Sequence, residues 1–261
     1  MFLAHIAEGI VEGRIISHRF DIQAQQYTFP YHYLPTVDDS GLVGIFRSLK
    51  WGMEYLTYMT FVRDLITADL RAESVLDVGC GDGRLSAMLR DRVERVVGCD
   101  LAEQAILFAR AFNPDLKFYL DDVKNVPGQF DVTTLIEVME HIPDDLYPEF
   151  IEKVAAKTKL GGNLIVSVPT TNLPLNKKHF RHYTLDLLQR QLAPSFAIER
   201  HWFLVKQGRV LPCLRLMLQN RAVIVMVGPW RRLVWRLHKR FSYMATAENG
   251  EHLVVVARRV N

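Results

Sequence analysis

Gly79, Gly81 and Gly83 are spaced G-x-G-x-G, with Asp77 two residues before the first and Arg84 directly after the last. They follow an apolar run that ends in Val78 and precede an amphipathic run that starts at Arg84. A glycine turn between a strand and a helix places backbone N–H groups at a helix N-terminus and lets a ligand approach without Cβ atoms in the way. Asp100 lies at about the twenty-residue offset at which such folds put a carboxylate on ribose hydroxyls. Two adjacent hydroxyl donors suit one carboxylate with two acceptor oxygens. The glycine spacing disfavours a nicotinamide oxidoreductase, because G-x-G-x-x-G would put its third small residue at Arg84, whose long side chain spoils close helix–strand packing.

A second constellation is Glu137, Glu140 and His141, followed later by a basic loop with Lys177, Lys178, His179, Arg181 and His182. A single helical turn would put Glu137, Glu140 and His141 on one side, since residues three and four apart share a helix face. With His182 or His179 added from the loop, two carboxylates and two imidazoles would suit Mn²⁺, Fe²⁺ or Zn²⁺ better than an all-oxygen Mg²⁺ site. His141, one short turn beyond a strand, is also the candidate general base, with His182 the secondary candidate. The plainer alternative leaves His141 steadying its loop and Glu140 as a capping or solvated carboxylate.

These residues need elements to hold them. Apolar runs at 75–78, 93–99, 116–120, 130–135 and 163–168 read as strands. Runs at 84–92 and 147–157 between them read as helices, with Gly161-Gly162 as a stop. Strands alternating with helices predict a parallel sheet covered on both faces, with ligands outside the carboxyl ends of the strands. Asp77, Asp100, Asp122 and Glu137 all fall at strand ends, so separate segments converge on one edge.

The glycine turn with Asp77, the carboxylate at Asp100, Asp122-Val123, Phe130-Asp131-Val132 and Val168-Pro169 resemble the motifs of class I S-adenosylmethionine-dependent methyltransferases. The resemblance covers roughly residues 73–169, with weaker support to the C-terminus. It implies an α/β, Rossmann-like fold: a mostly parallel seven-stranded sheet, helices on both faces, and a reversed C-terminal hairpin from runs at 196–204 and 252–258. It also implies S-adenosylmethionine as cofactor, its amino-acid end against Gly79 and Gly81 and its ammonium held with help from Asp77. Asp100 would take the ribose, Leu101 would pack near the adenine, and Asp122 and the Val123 N–H would meet the adenine edge, with Glu137 nearby. The basic, histidine-bearing loop is similar to that of ubiquinone-pathway O-methyltransferases and of small-molecule or glycolipid-directed relatives. The Glu-x-x-Glu-His arrangement also resembles small-RNA 3′-terminal 2′-O-methyltransferases, which hold a divalent metal with two glutamates and two histidines, although no RNA-end-binding domain is evident. The function implied is methyl transfer to an oxygen of a small molecule, lipid precursor or glycan. The alternatives are a non-catalytic S-adenosylmethionine-binding protein and an RNA 2′-O-methyltransferase.

Residues 1–70 read as an N-terminal extension or cap, and 71–261 as the cofactor-binding domain with an insertion at about 205–248. In the extension, Trp51, Tyr55, Tyr58, Val62 and Leu65 share a helical face, and Tyr31, His32, Tyr55 or Tyr58 could line the acceptor pocket. The insertion holds an apolar run at 222–227 and then a basic amphipathic helix. Trp230, Leu233, Val234, Leu237 and Phe241 form its apolar face beside Arg231, Arg232, Arg236, Lys239 and Arg240, so residues 222–241 could contact a membrane surface. At 261 residues, with 49% hydrophobic and 23% charged residues, the chain reads as soluble and globular. A net charge of +3 is too small to argue for DNA as a partner. Cys80, Cys99 and Cys213 form no C-x-x-C pair, which suits a reducing cytosol. No signal peptide or membrane-spanning run is apparent, so the expected location is cytoplasmic, with peripheral membrane contact the variant.

Overall fold

The computed structural model describes residues 35–37, 43–45, 49–219, 225 and 227–261. Its strands are β1 (Pro35–Val37), β2 (Val43–Ile45), β3 (Ser74–Val78), β4 (Arg95–Asp100), β5 (Lys117–Leu120), β6 (Phe130–Ile136), β7 (Thr158–Pro169), β8 (Phe196–Lys206), β9 (Met244–Ala245) and β10 (Gly250–Arg259). The helices are α1 (Leu49–Asp64), α2 (Arg84–Leu89), α3 (Glu103–Phe112), α4 (Tyr147–Lys157), α5 (Leu185–Leu192), α6 (Val210–Leu218) and α7 (Gly228–Phe241). Tyr31 and His32 lie outside the described residues, as does most of the 222–227 run.

The main sheet has eight strands in the order β5-β4-β3-β6-β7-β10-β8-β9. From β5 to β7 the pairing is parallel. β10 then runs antiparallel to both β7 and β8, the reversed hairpin expected at the C-terminus. The expected count was seven; the eighth strand is the two-residue β9, which pairs with Phe203 and Leu204 and is too short to leave a period in the sequence. Every residue of β3 is buried, as a central parallel strand covered on both faces requires.

Successive residues of each strand feed opposite sides of the sheet. Val75, Val132, Ile165, Val254 and Val256 join one apolar cluster with α1, α2, α6 and α7. Leu76, Leu135, Leu164, Leu253 and Val255 join the other, with α4 and α5. Met53, Tyr58, Met59 and Val62 of α1 are buried in the first cluster, so this helix is part of the core. α1 runs on into a π-helical turn, Leu65–Asp69, whose Leu65 and Ile66 are also buried.

Two local expectations are corrected. The Gly161-Gly162 pair does not stop the chain before the fifth long strand; it loops out inside β7, where Phe130 pairs with Thr158 but Val132 pairs with Asn163. Gly161 takes φ 72°, and a Cβ on Gly162 would lie 2.8 Å from the Lys159 carbonyl oxygen, so glycine permits the irregularity. The segment after β6 is not one helical turn: Met139–His141 is a short 3₁₀ turn, and Glu137 stands outside it at φ 57°. Glu137 and Glu140 therefore do not share a helix face.

Candidate active site

The strand order reverses beside β3, between β4 on one side and β6 on the other, which opens a crevice at the carboxyl ends. The glycine turn fills the β3 end of it. Gly79, Gly81 and Gly83 have φ of 69°, 56° and 76°, a region that costs other residues about 1–2 kcal/mol. A Cβ on Gly79 would sit 2.5 Å from Val138 Cγ2, and one on Gly83 would sit 2.8 Å from the Phe118 ring. The Cys99 carbonyl accepts from the N–H groups of Gly79 and Cys80 at 2.8 and 3.0 Å, fastening the turn to β4. Asp100 braces it from the side, one oxygen accepting from the Gly81 N–H at 2.9 Å and the other from the Ala102 N–H at 2.8 Å. Burial raises the Asp100 carboxyl above its usual range.

Asp77 lies beneath this turn, 2% exposed, and accepts from Thr134 Oγ1 at 2.8 Å and Ser86 Oγ at 3.1 Å. Burial pushes its pKa up to about 6 in spite of both hydroxyls. Leu101 is exposed at the cleft rim and Val123 is buried in its wall. Asp122 caps the 3₁₀ turn Val123–Asn125, accepting from the Lys124 N–H at 2.9 Å and pairing with Lys153 at 3.2 Å.

The opposite wall comes from the segment after β6 and the loop after β7. Phe180 N–H donates to the Glu140 carbonyl at 2.8 Å, and Arg181 and the Tyr183 hydroxyl both donate to the Met139 carbonyl at 3.2 Å. These bonds bring His179 and His182 toward His141. The His141 and His179 rings meet edge-on at 4.8 Å between centroids. Glu140, His141 and His179 each offer a ligand atom within 4.8 Å of the others. Glu140 is 1% exposed, and its Oε2 has no hydrogen-bond partner. Burial, and then the Glu137 charge, raise the Glu140 carboxyl well above its usual value. Burial, with Lys178 next, lowers His141 to about 4; burial, with His141 next, lowers His179 to about 3.

Hydrogen-bond partners fix the tautomers, because a carbonyl oxygen only accepts. His182 Nδ1 must donate to the Leu173 carbonyl at 3.1 Å, so its Nε2 accepts from His179 Nδ1 at 2.9 Å. His141 Nδ1 must donate to the Lys178 carbonyl at 3.2 Å. The Nε2 atoms of His141 and His179 thus both carry lone pairs.

Glu137 makes a different set of contacts. Its Oε1 accepts from Ser167 Oγ at 2.6 Å and from His252 Nδ1 at 3.1 Å. Burial alone would raise Glu137, yet the His252 charge and these bonds bring it below the ordinary value. For His252, burial works downward, but the Glu137 charge and hydrogen bond raise it above its ordinary value. No local motif pointed to His252, because its partner is far away in sequence.

The remaining wall is helical. Tyr55 and Tyr58 of α1 line the cleft, and Tyr58 lies 4.8 Å from the His252 ring. Arg215 of α6 lines it too, paired with Glu54 and near Glu251; neither Arg215 nor the acids around it stood out in the sequence. The cleft measures about 1250 Å³ and runs without a break from Leu101, Asp122 and Val123, past Gly79 and Gly81, to His141, His179, His182 and Tyr58. Asp77 is not among its lining residues.

The sequence pattern of the methyltransferase-domain family matches residues 53–202. The ubiquinone biosynthesis O-methyltransferase of Idiomarina loihiensis is 37% identical over 116 residues, covering 41% of this chain and 46% of that protein. The one from Neisseria meningitidis serogroup C is 44% identical over 87 residues, 30% of this chain and 37% of that protein. The chain thus spans less than half the length of these curated relatives. The N-methyltransferase NodS from Bradyrhizobium japonicum, solved with S-adenosyl-L-homocysteine, superposes with a TM-score of 0.54 at 13% identity, over 80% of this chain and 88% of that one. The magnesium protoporphyrin IX methyltransferase of Synechocystis, solved with the same ligand, gives 0.54 at 16% identity over 97% and 99%. At these identities the likeness is one of fold. The family match takes in α1, the glycine turn, both turns of the histidine wall and most of the sheet, and the chain belongs to the methyltransferase-domain family.

Proposed function

We propose that this chain transfers the methyl group of S-adenosylmethionine to an oxygen of a small-molecule acceptor, a class that includes lipid precursors and glycans. The observation that carries this reading is the continuity of the cleft. Single-ligand pockets run to about 300–1,000 Å³, and the ≈ 1250 Å³ here leaves room for cofactor and acceptor side by side. The residues fit the cofactor. The positive-φ turn at Gly79 and Gly81 admits close approach, and the Asp100 carboxylate, held by the N–H groups of Gly81, Ala102 and Leu101, retains acceptor capacity for a ribose hydroxyl. Leu101, Asp122 and Val123 stand together beyond Asp100, in position to meet the adenine.

Bound there, the cofactor supplies an electrophilic methyl group on a positively charged sulfur. The chain contributes alignment of the acceptor oxygen with that methyl in a site closed to water, an effect worth several kcal/mol of barrier. Tyr55, Tyr58 and Arg215 of α6 line the acceptor side. His141 accepts the hydroxyl proton at Nε2, while its Nδ1–H on the Lys178 carbonyl holds the ring in the productive tautomer. That the curated relatives are ubiquinone biosynthesis O-methyltransferases supports oxygen as the acceptor atom. An intact glycine turn beside a histidine-bearing wall favours catalysis over simple cofactor binding.

Calorimetry with S-adenosyl-L-homocysteine tests the cofactor assignment. Hydrogen bonds to a charged group are worth about 1.5–3 kcal/mol, so Asp100→Ala should weaken binding by tenfold or more. An unchanged affinity would sink it, and turnover with candidate hydroxyl acceptors tests the chemistry.

A second reading is favoured by one observation, the orphaned Glu140 Oε2 beside two imidazole lone pairs. Glu140, His141 and His179 could hold a divalent cation such as Mn²⁺, Fe²⁺ or Zn²⁺, which would lower the pKa of an acceptor hydroxyl. What supports His179 over His182 is that its ligand atom lies within 4.8 Å of those of Glu140 and His141. Glu137 is likewise committed, to Ser167 and His252. Activity that survives chelation, with no Mn²⁺ retained by the protein, would remove this reading and leave His141 as base.

A further inference from the structure

Helix α7 carries a surface that the methyl-transfer reading does not use. Its inner side is fixed by Val234 and by His238, both fully buried. His238 bonds Thr57 Oγ1 of α1 and Ser242 Oγ, each at 2.7 Å. The outer side is of two kinds. Trp230, Leu233 and Phe241 are 38, 44 and 51% exposed and, at helical spacing, run along one flank with Leu237. Beside them Arg232, Arg236 and Arg240 form an exposed row at four-residue spacing, with Arg231 and Lys239 also exposed.

Helix α6 packs beside α7 and carries exposed apolar residues of its own. Trp230 Nε1 donates to the Met217 carbonyl at 2.9 Å, tying the two helices, and Leu216 and Val210 of α6 are 63 and 45% exposed. Cations arrayed beside an apolar ridge that includes a tryptophan suit one environment in particular, an anionic lipid surface: the ridge enters the acyl boundary while the arginines remain among headgroup phosphates. No acidic side chain occurs in α7 to oppose this.

We propose that α7, with the adjoining face of α6, seats the protein on an anionic membrane. Arg215 of α6 lines the cleft, so this orientation sets one cleft wall at the lipid boundary. The consequence that the acceptor is an amphiphile drawn from the bilayer rests on the methyl-transfer reading; the docking itself does not.

Flotation of the full chain with phosphatidylcholine vesicles, with and without phosphatidylglycerol, tests it. The chain should float with the anionic vesicles and not with the neutral ones. Each surface cation contributes about fivefold to such partitioning, so the combined Arg232→Gln, Arg236→Gln and Arg240→Gln variant should bind roughly a hundredfold more weakly. Raising salt from about 0.1 M to about 1 M, which shortens the screening length from about 10 to 3 Å, should weaken the wild type similarly. Leu233→Ser should lower retention at every salt concentration. Calorimetry with S-adenosyl-L-homocysteine on the same preparations should be unaffected by these exposed substitutions, which separates failure of docking from failure of the cofactor assignment. Equal retention by neutral vesicles, no retention at all, or an arginine variant that binds like wild type would overturn the proposal. So would a concentration-dependent dimer abolished by Leu233→Ser, which would make this face a contact between copies of the chain.

Discussion

Asp77→Asn is a perturbation whose size can be worked from the geometry. The carboxyl is buried under the glycine turn, and its pKa rises from 3.8 to about 6 because burial outweighs the Thr134 and Ser86 hydroxyls. At about 1.4 kcal/mol per unit, that rise corresponds to about 3 kcal/mol. Below pH 4 the folded and unfolded chains both hold the proton, and Asp77 costs nothing. Between pH 4 and 6 only the folded chain retains it, so its contribution to stability falls as pH rises. Above pH 6 the whole penalty is present and the dependence is flat. Asparagine keeps the local bonds, since its oxygen can accept from the Ser86 hydroxyl and N–H and its amide can donate to Thr134 Oγ1, but it does not titrate. The stability of Asp77→Asn relative to wild type should therefore climb by about 2 kcal/mol from pH 4 to pH 7. Urea denaturation of both proteins across that range measures the difference, and subtracting the two curves cancels every carboxylate they share. A flat or falling difference would refute the reasoning. If Asp77 also serves the cofactor ammonium, the stabilised variant should bind S-adenosyl-L-homocysteine more weakly at pH 7, a trade between stability and binding.

Two further outcomes are expected. Gly79→Ala places a Cβ at φ 69° and 2.5 Å from Val138 Cγ2, so it should destabilise the fold by about 2 kcal/mol or more and weaken cofactor binding; wild-type stability by denaturation would contradict the turn geometry. Glu137→Gln removes the charge opposite His252 and should cost about 3 kcal/mol, as breaking buried pairs does. In the same variant, NMR titration should find His252 titrating lower than in wild type, because burial would act there with only the Glu251 charge opposing it; an unshifted His252 would disprove the pairing.

The fold was legible wherever a strand is buried on both faces and ends in a chemical signal. Ser74–Val78 is a wholly buried strand, apolar apart from Ser74 and Asp77, that runs into glycines, and its partners β4 and β6 are mostly buried as well. Helix Leu185–Leu192 has a local start signal of its own: Thr184 caps it, accepting from the Leu187 N–H at 3.2 Å. What escaped was structure set by tertiary contact. Met244–Ala245 is a strand only because β8 offers a free edge there, and two residues carry no period. The bulge at Gly161 reads in sequence as a break, because glycine supplies the same signal for a turn and for a strand irregularity.

The site divides along the same line. The proposed cofactor side depends on residues at fixed short offsets from strand ends, so Gly79, Gly81 and Asp100 could be named from spacing, and Leu101, Asp122 and Val123 from the resemblance to class I methyltransferases; all of them line one cleft. The Glu-x-x-Glu-His segment could not be resolved that way, because its spacing has meaning only if the backbone is helical. A positive φ at Glu137 separates the two glutamates. Glu137 turns to His252, 115 positions away, and Glu140 and His141 turn to His179. His252 arrives there because β10 is inserted antiparallel beside β7, with His252 paired to Pro169 at the carboxyl edge. That placement follows from sheet order, which no local pattern encodes. The contact also gives the C-terminal hairpin a chemical role: the charge and hydrogen bond of His252 lower the Glu137 carboxyl, while Glu140 is raised by burial and by the Glu137 charge. Carboxyls whose surroundings shift them in opposite directions are a common arrangement at sites of proton transfer. Here that arrangement depends on a strand lying outside the family match.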